Sequence, residues 1–424
     1  MVIDEWCLTK PNPVRHHSSI TTVFYRGSPM GFASGSVTFK RFAVLGDAPS
    51  MVDQNLLDKF DALILRPGEI GIPEEIEYGW SGGRHILDGH VSFERNVFSD
   101  CLHVAIRVDT NKVPSQLKKA YTIMEEEAVA STNPSGFIRK DQKRDVKDTV
   151  SRKMEDELRT GRFRKSKIVS ILWDLPNNTV YAAVAGKSQE MLLELFERTT
   201  GLSLLPLSSG SLALRLMEPR GHRRDYEDSK PTRFVYGPEG ESQYPEYPWT
   251  AKGPEPKDFL GNEFLLWLWH ELEAKSGTLP TAVGQVAIML DKSLDLDCAF
   301  GQTGKDGLRG DGPNRMPEAR DGLRSGKVPR KAGMVLDASG HTYALTLSAE
   351  GLSVGSAKLP DIEEADDERA VFEQRIDLIR DLAKAIDALF DNFLKVRCGS
   401  AWEGQTANVR RWILSFAKPV AAVA

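Results

Sequence analysis

Several short stretches hold residue types that could do chemistry, and each lacks a part that its chemistry requires. Gly301 to Lys305 reads GQTGK, and a loop that cradles nucleotide phosphates needs a glycine five residues before its final Gly-Lys and a hydroxyl after it. Ala299 and Asp306 stand in those places. His270 and Glu271 begin a helical HExxH zinc-protease pattern, whose second histidine would fall on Ala274. Glu255 with Lys257, and Glu273 with Lys275, have the spacing used by metal-dependent nucleases, but neither pair follows an acidic partner on a strand. Adjacent His16 and His17 project in different directions, which suits solvent better than a shared ligand. The chain is therefore read as non-enzymatic, with no catalytic residues, no metal and no cofactor.

A different chemistry is carried by charge. Between Arg139 and Lys167 there are twelve Lys/Arg against six Asp/Glu, and between Gly301 and Lys331 eight against four. From Asp361 to Leu394 the balance reverses to eleven acidic against four basic. The net charge of -5 thus conceals separated positive and negative surfaces. Phosphates repeat along a duplex, so a sequence-independent binder needs many cations spread along an element of matching length. Lys140, Lys143, Arg144 and Lys147, following Arg139, provide such a repeat, and Arg162, Arg164, Lys165 and Lys167 concentrate it. The competing reading is a solvated helix held by i,i+4 ion pairs. Phe163 is either a core anchor or an apolar contact at a DNA surface.

These residues need elements to hold them. Strands are expected at Ser19 to Tyr25 and Gly35 to Val44, followed by a helix over Asp53 to Asp61, where Leu56, Leu57 and Phe60 repeat at helical spacing. A strand over Cys101 to Val108 leads to a helix with Pro114 in its first position and Leu117, Tyr121 and Met124 on one face. Asn133 to Gly136 break that helix before a charge-alternating one. A compact unit follows: a hairpin (167–174 and 179–184) around LPNN, a helix capped by Ser188 and ended by Gly201, and a strand over Ser211 to Met217. Residues 230–257, rich in Pro, Tyr and Gly, read as an extended linker or insertion. A helix with Phe264, Trp267, Leu268 and Leu272 inward follows, then a strand over Gln285 to Leu296 and a mobile basic loop over 301–316. Two or three further strands precede a long amphipathic helix carrying Ile376, Ile379, Ala383, Ile386, Leu389, Phe390 and Phe393.

The chain has 424 residues, enough to bury a sizeable core, and its four dispersed cysteines form no CxxC pair, which fits a reducing cytoplasm. No stretch of eighteen uncharged apolar residues predicts a membrane span. We divide the chain into 1–110 (N-terminal α/β region), 111–220 (basic helix and ββαβ unit), 221–258 (linker or insertion) and 259–424 (C-terminal α/β region). The fold class expected is α+β, with several small mixed sheets and long amphipathic helices.

The order of these elements resembles the recombination-associated RdgC family along most of the chain. The resemblance is carried by YGWSGG at 78–83, HVAIRVDTNKVPSQLKKAYTIMEEE, KDTVSRKMEDELRTGRF, ILWDLPNNTVYAAVAGKSQEMLLELFERTTGLSLLPL, and RSGKVPRKAGMVLDASGHTYALTLSAEGLSVGSAKL with the acidic helix after it. It implies an RdgC-like, ring-shaped homodimer around double-stranded DNA, nucleoid-associated, that restrains recombinase-dependent recombination, with a recombinase or other DNA-repair protein as a further partner. Where the family has a lysine-lysine-glutamine run, this chain has Phe300, Gly301 and Gln302. Gln302 matches, with Lys305 and Arg309 as downstream substitutes, and Arg324, Lys327, Arg330 and Lys331 fall in a matched stretch; all are expected to bind DNA along with the first basic segment, Phe163 included. The alternative is a metal-dependent nuclease or other DNA-processing enzyme on a related scaffold.

Overall fold

Where a strand is covered on both faces it reads as a nearly unbroken apolar run, and where one face stays open the apolar residues alternate. Both patterns occur in this protein, on two parts of one sheet. A computed structural model describes residues 31–66, 75–134, 136–237, 239–240, 242–251, 253, 255–302, 304–362 and 367–415. The strand expected over Ser19 to Tyr25 and the pair His16 and His17 lie outside these residues.

The first part comprises β1 (Val37–Leu45), α1 (Gln54–Ala62), β2 (Ile76–Ser81), α2 (Phe93–Asn96), β3 (Val97–Phe98), β4 (Cys101–Asn111), α3 (Ser115–Thr132), α4 (Lys140–Arg159), β5 (Arg164–Asp174), β6 (Thr179–Ala182), α5 (Lys187–Thr200) and β7 (Ser203–Pro206). Leu56, Leu57 and Phe60 of α1 and Leu192, Leu195 and Phe196 of α5 pack with Trp80, Ile106, Ile171 and Trp173 on one face of this sheet. Asp53 caps α1 by accepting from Leu56 N at 2.8 Å. The opposite face contributes Phe39, Cys101, Leu172 and Tyr181 to a second core. CLHVAIRV is continuous in sequence because both sides are covered.

The second part comprises α6 (Ser209–Met217), α7 (Arg223–Asp228), α8 (Phe259–Ala274), β8 (Thr278–Thr281), β9 (Gly284–Cys298), β10 (Lys305–Gly310), α9 (Pro317–Arg324), β11 (Lys327–Ala338), β12 (His341–Ser348), β13 (Val354–Lys358), α10 (Glu368–Arg397) and α11 (Trp402–Leu414). β9 and β12 alternate buried and exposed positions, as strands with one open face should. The 30-residue α10 carries all seven predicted apolar residues on its buried side. It also reaches into the first part, where Arg41 pairs with Asp387 at 2.7 Å and Arg380 with Asp174 at 2.9 Å.

Strand order is β10-β9-β11-β12-β13-β1-β6-β5-β4-β2, with β3 on β4, β7 on β1 and β8 on β9. The α+β class holds, but the several small mixed sheets are one thirteen-stranded sheet whose named strands all pair antiparallel, with β1 as the seam. Other expectations change too. Ser211 to Met217 is helical, because the Ser208 hydroxyl accepts from Ser211 N and Leu212, Ala213 and Met217 share an inner face. The expected mobile loop contains β10, which pairs with β9 from Lys305 to Gly310; an edge strand needs only one partner, so its glycines are tolerated. Ser188 lies inside α5, where its hydroxyl bonds Ala185, and Gly186 precedes the helix. Pro114 likewise precedes α3. Residues 230–257 form no described helix or strand, yet Phe234 and Tyr247 are buried in the larger core.

Candidate nucleic-acid interface

β4 and β5 pair in continuous register from Cys101 with Asp174 to Asn111 with Arg164. The chain joining them does not turn tightly: it runs out along α3 and back along α4. α3 buries no residue and α4 buries only Val146 and Val150, so the pair is an arm held mainly by itself. At about 1.5 Å per residue, α4 is roughly 30 Å long. Lys153 bridges to Glu125, Tyr121 donates to Glu157 at 2.6 Å, and Asn111 of β4 donates to the Leu158 carbonyl at 2.9 Å. Tyr121 therefore faces α4; it and Leu117 are half-buried, whereas Met124, expected on the same side, is exposed. At the far end, the amides of Asn133 and Gln142 exchange two hydrogen bonds of 2.8 and 3.0 Å, which fixes the turn.

α4 as a whole is close to neutral, so position decides its field. A turn of 3.6 residues puts Lys140, Lys143, Arg144 and Lys147 on one side and Asp141, Asp145 and Asp148 roughly 100° round the helix. All four cations are exposed and none makes an ion pair with a described residue. The i,i+4 pairs Lys140 with Arg144 and Lys143 with Lys147 join like charges, and Arg144 forms no ion pair with Asp148 at i+4, so the reading of a helix held by i,i+4 ion pairs does not describe this stripe. Lys118 and Lys119 in the first turn of α3 are also exposed.

Where the arm joins the sheet, the predicted residues diverge. Arg162 is exposed and lies 5.9 Å from the Phe163 ring, which is half-buried. Lys165 and Lys167 are exposed on β5. Arg164 instead bonds Glu77 at 2.7 Å and Asp109 at 2.8 Å, and Arg107 grips Asp109 with two further bonds of 3.0 and 2.7 Å. Burial pushes the Asp109 carboxyl up, but donors from Arg107, Ser166 and Arg164 outweigh it and hold the group below its ordinary value. Arg164 is thus committed to the framework.

The second basic segment is also committed. Across β9, β10 and β11, Lys305 pairs with Asp297 (3.4 Å), Arg309 with Asp295 (2.6 Å), Lys327 with Asp306 (2.6 Å), and Arg330 with Asp297 (3.3 Å) and Glu350 (2.8 Å). Arg324 pairs with Asp321, and Gln302 donates to Glu239 at 2.9 Å. Lys331 is exposed and has no ion partner among the described residues. A phosphate approaching this surface meets carboxylates at nearly every cation.

The incomplete motifs are absorbed by structure. Glu271 ties α8 to α11: it accepts from Gln405 at 2.7 Å and meets Lys275 at 2.6 Å and His270 at 3.3 Å. Burial raises its carboxyl, but these partners prevail and hold it at about 2. Glu273 accepts from the indoles of Trp269 and Trp412, each at 2.9 Å. Lys257 donates to the Ser229 carbonyl at 2.8 Å. Among the described residues no three His, Cys, Asp or Glu side chains gather as a metal-ligand group. Compared with protein-family models and with curated proteins, the chain matches none.

Proposed function

We propose that this protein binds double-stranded DNA without sequence preference, through phosphates, and that the α3–α4 arm makes the principal contact. The observation that carries the reading is the stripe of Lys140, Lys143, Arg144 and Lys147, exposed and without ion partners among the described residues. From Lys140 to Lys147 the helix rises roughly 10 Å, which spans about three phosphate spacings, or about four phosphates, of one strand at 3.4 Å per spacing. Lys and Arg on such a stripe bind by charge and read no base edges.

The resemblance extends this reading to an RdgC-like homodimer that encircles DNA, is nucleoid-associated in the cytoplasm, restrains recombinase-dependent recombination, and does no chemistry of its own. Two-fold symmetry would double every cationic stripe. Among the described residues no helix is long and apolar enough to cross a membrane.

The test is a titration of purified protein with unrelated duplexes over a range of salt. Each phosphate neutralised contributes a slope of about 0.9 in log affinity against log salt, so four contacts on one arm give about 3.6. Equal affinity for all duplexes, with a slope of at least that size, supports the reading. A salt-insensitive affinity, or cleavage of the DNA when magnesium, manganese or zinc is supplied, contradicts it.

A further inference from the structure

Residues 230–257 put some aromatics inside and others outside. Phe234 and Tyr247 are buried, Phe234 edge-on to Trp402 at 6.1 Å and Tyr247 edge-on to Trp249 at 5.7 Å. Tyr236 and Tyr244, between those anchors in sequence, are 54% and 64% exposed. The chain linking them folds back on itself: Gly240 N donates to Gly237 O at 2.9 Å, and Glu239 N to the Gln243 side chain at 3.1 Å. The Arg233 guanidinium lies 5.5 Å from the Tyr236 ring and 4.9 Å from the Tyr244 ring, and so bridges the two. Arg410 of α11 holds the backbone beneath, donating to the carbonyls of Arg233 at 2.8 Å and Phe234 at 3.3 Å.

Two large rings are thus presented to solvent on a backbone anchored at both ends, each attracted to one shared cation. A tyrosine ring offers a flat face to another flat group, and a guanidinium favours both aromatic faces and phosphates. A nucleobase on its sugar-phosphate is flat and anionic, which matches both features. Bases inside a duplex are already stacked, and opening a step costs a few kcal/mol, so the matching form is unpaired.

We propose that Tyr236 and Tyr244, bridged by Arg233, form a stacking platform for the bases of single-stranded nucleic acid. The proposal takes its ligand class from the nucleic-acid reading above, but it uses a surface other than the α3–α4 arm.

The experiment measures binding of oligodeoxythymidine, whose bases are unpaired, and of a duplex to the full chain and its variants. Tyr236→Ala and Tyr244→Ala should each weaken oligodeoxythymidine binding about tenfold, within the range for loss of one stacked base. Tyr236→Phe and Tyr244→Phe should bind it like wild type, because stacking uses the ring and not the hydroxyl. Duplex affinity should be the same in all four. If either alanine variant binds oligodeoxythymidine like wild type while its thermal unfolding is unchanged, the platform is refuted and the tyrosines fit a protein partner instead. Equal loss for both DNAs refutes it too. Failure of duplex binding in the wild-type protein would sink the arm's role and leave the oligodeoxythymidine comparison readable.

Discussion

On the α3–α4 arm, Lys140, Lys143, Arg144 and Lys147 face solvent without ion partners among the described residues, while on the β9–β10–β11 surface Lys305, Arg309, Lys327 and Arg330 each hold a carboxylate. Both segments have two cations for every acid in sequence. The difference comes from the geometry of their elements. On α4 the i,i+4 pairs Lys140 with Arg144 and Lys143 with Lys147 carry the same sign, an arrangement that costs a few tenths of a kcal/mol per pair in a free helix, and Arg144 forms no ion pair with Asp148 at i+4. On β9 and β10 the neighbours come from the other strand, where Lys305 lies opposite Asp297 and Gly307 leaves Arg309 free to reach Asp295. Cross-strand pairs of opposite charge stabilise the sheet, and their cations are spent there. Charge counts alone cannot distinguish an interface from a framework.

The contrast can be broken most severely on the arm. Changing Lys143→Glu together with Arg144→Glu should lower duplex affinity on the order of 10-fold to 100-fold for all sequences alike, because two contacts become two repulsions. Thermal unfolding should hardly move, since neither side chain touches the core. A comparable fall in stability would mean that the stripe is structural.

Arg164 sharpens the comparison, because it lies in the same basic segment yet belongs to the framework. Arg164→Ala leaves Asp109, 2% exposed, with Arg107 as its remaining ion partner. We expect a loss of about 1–3 kcal/mol in stability, measured by denaturant titration, with duplex affinity of the folded protein changed less than about twofold. A large loss of affinity at unchanged stability would return Arg164 to the interface.

A smaller effect separates the regions by pH. The arm's stripe is entirely Lys and Arg, so duplex affinity of the folded protein should be flat from pH 6.5 to 5. The framework contains His103, whose ring is 2.7 Å from the Ser170 hydroxyl and edge-on to Phe372 at 5.0 Å. Burial, and then the charge of Arg84, pushes its imidazole down to about 4 from an ordinary 6.5. The unfolded chain therefore takes up this proton first. Stability from this group is complete above pH 6.5 and falls as pH drops towards 4, by at most about 1.4 kcal/mol per pH unit. In His103→Gln that part of the slope should vanish; an unchanged slope would show that His103 does not carry it.

Much of the scaffold was legible because its periodicities are strong. The apolar repeats of α1 and α10, the LPNN hairpin and Gly201 at the end of α5 emerged where expected, Gly201 with a φ of 74°. What failed depended on contacts distant in sequence. Ser211 to Met217 shows β-like alternation unless the Ser208 cap is weighed, and β10 is made a strand by β9, not by its own Gly-rich residues. Of the proposed site, the repeat of cations on one side of α4 was legible from their spacing, and the four are exposed. Sequestration of Arg164 was not, since Glu77 lies 87 residues away from it.

The proposed function places phosphate contacts on the arm and not on the β9–β10–β11 surface. It is tested most directly by comparing the salt dependence of duplex binding for wild type, for Lys140→Gln with Lys143→Gln, Arg144→Gln and Lys147→Gln, and for Lys305→Gln with Arg309→Gln. The arm variant should lose about 3.6 from the slope for each arm that contacts the duplex, at roughly 0.9 per contact, while the sheet variant keeps the wild-type slope. The reverse result, with the slope intact in the arm variant and reduced in the sheet variant, would contradict the account.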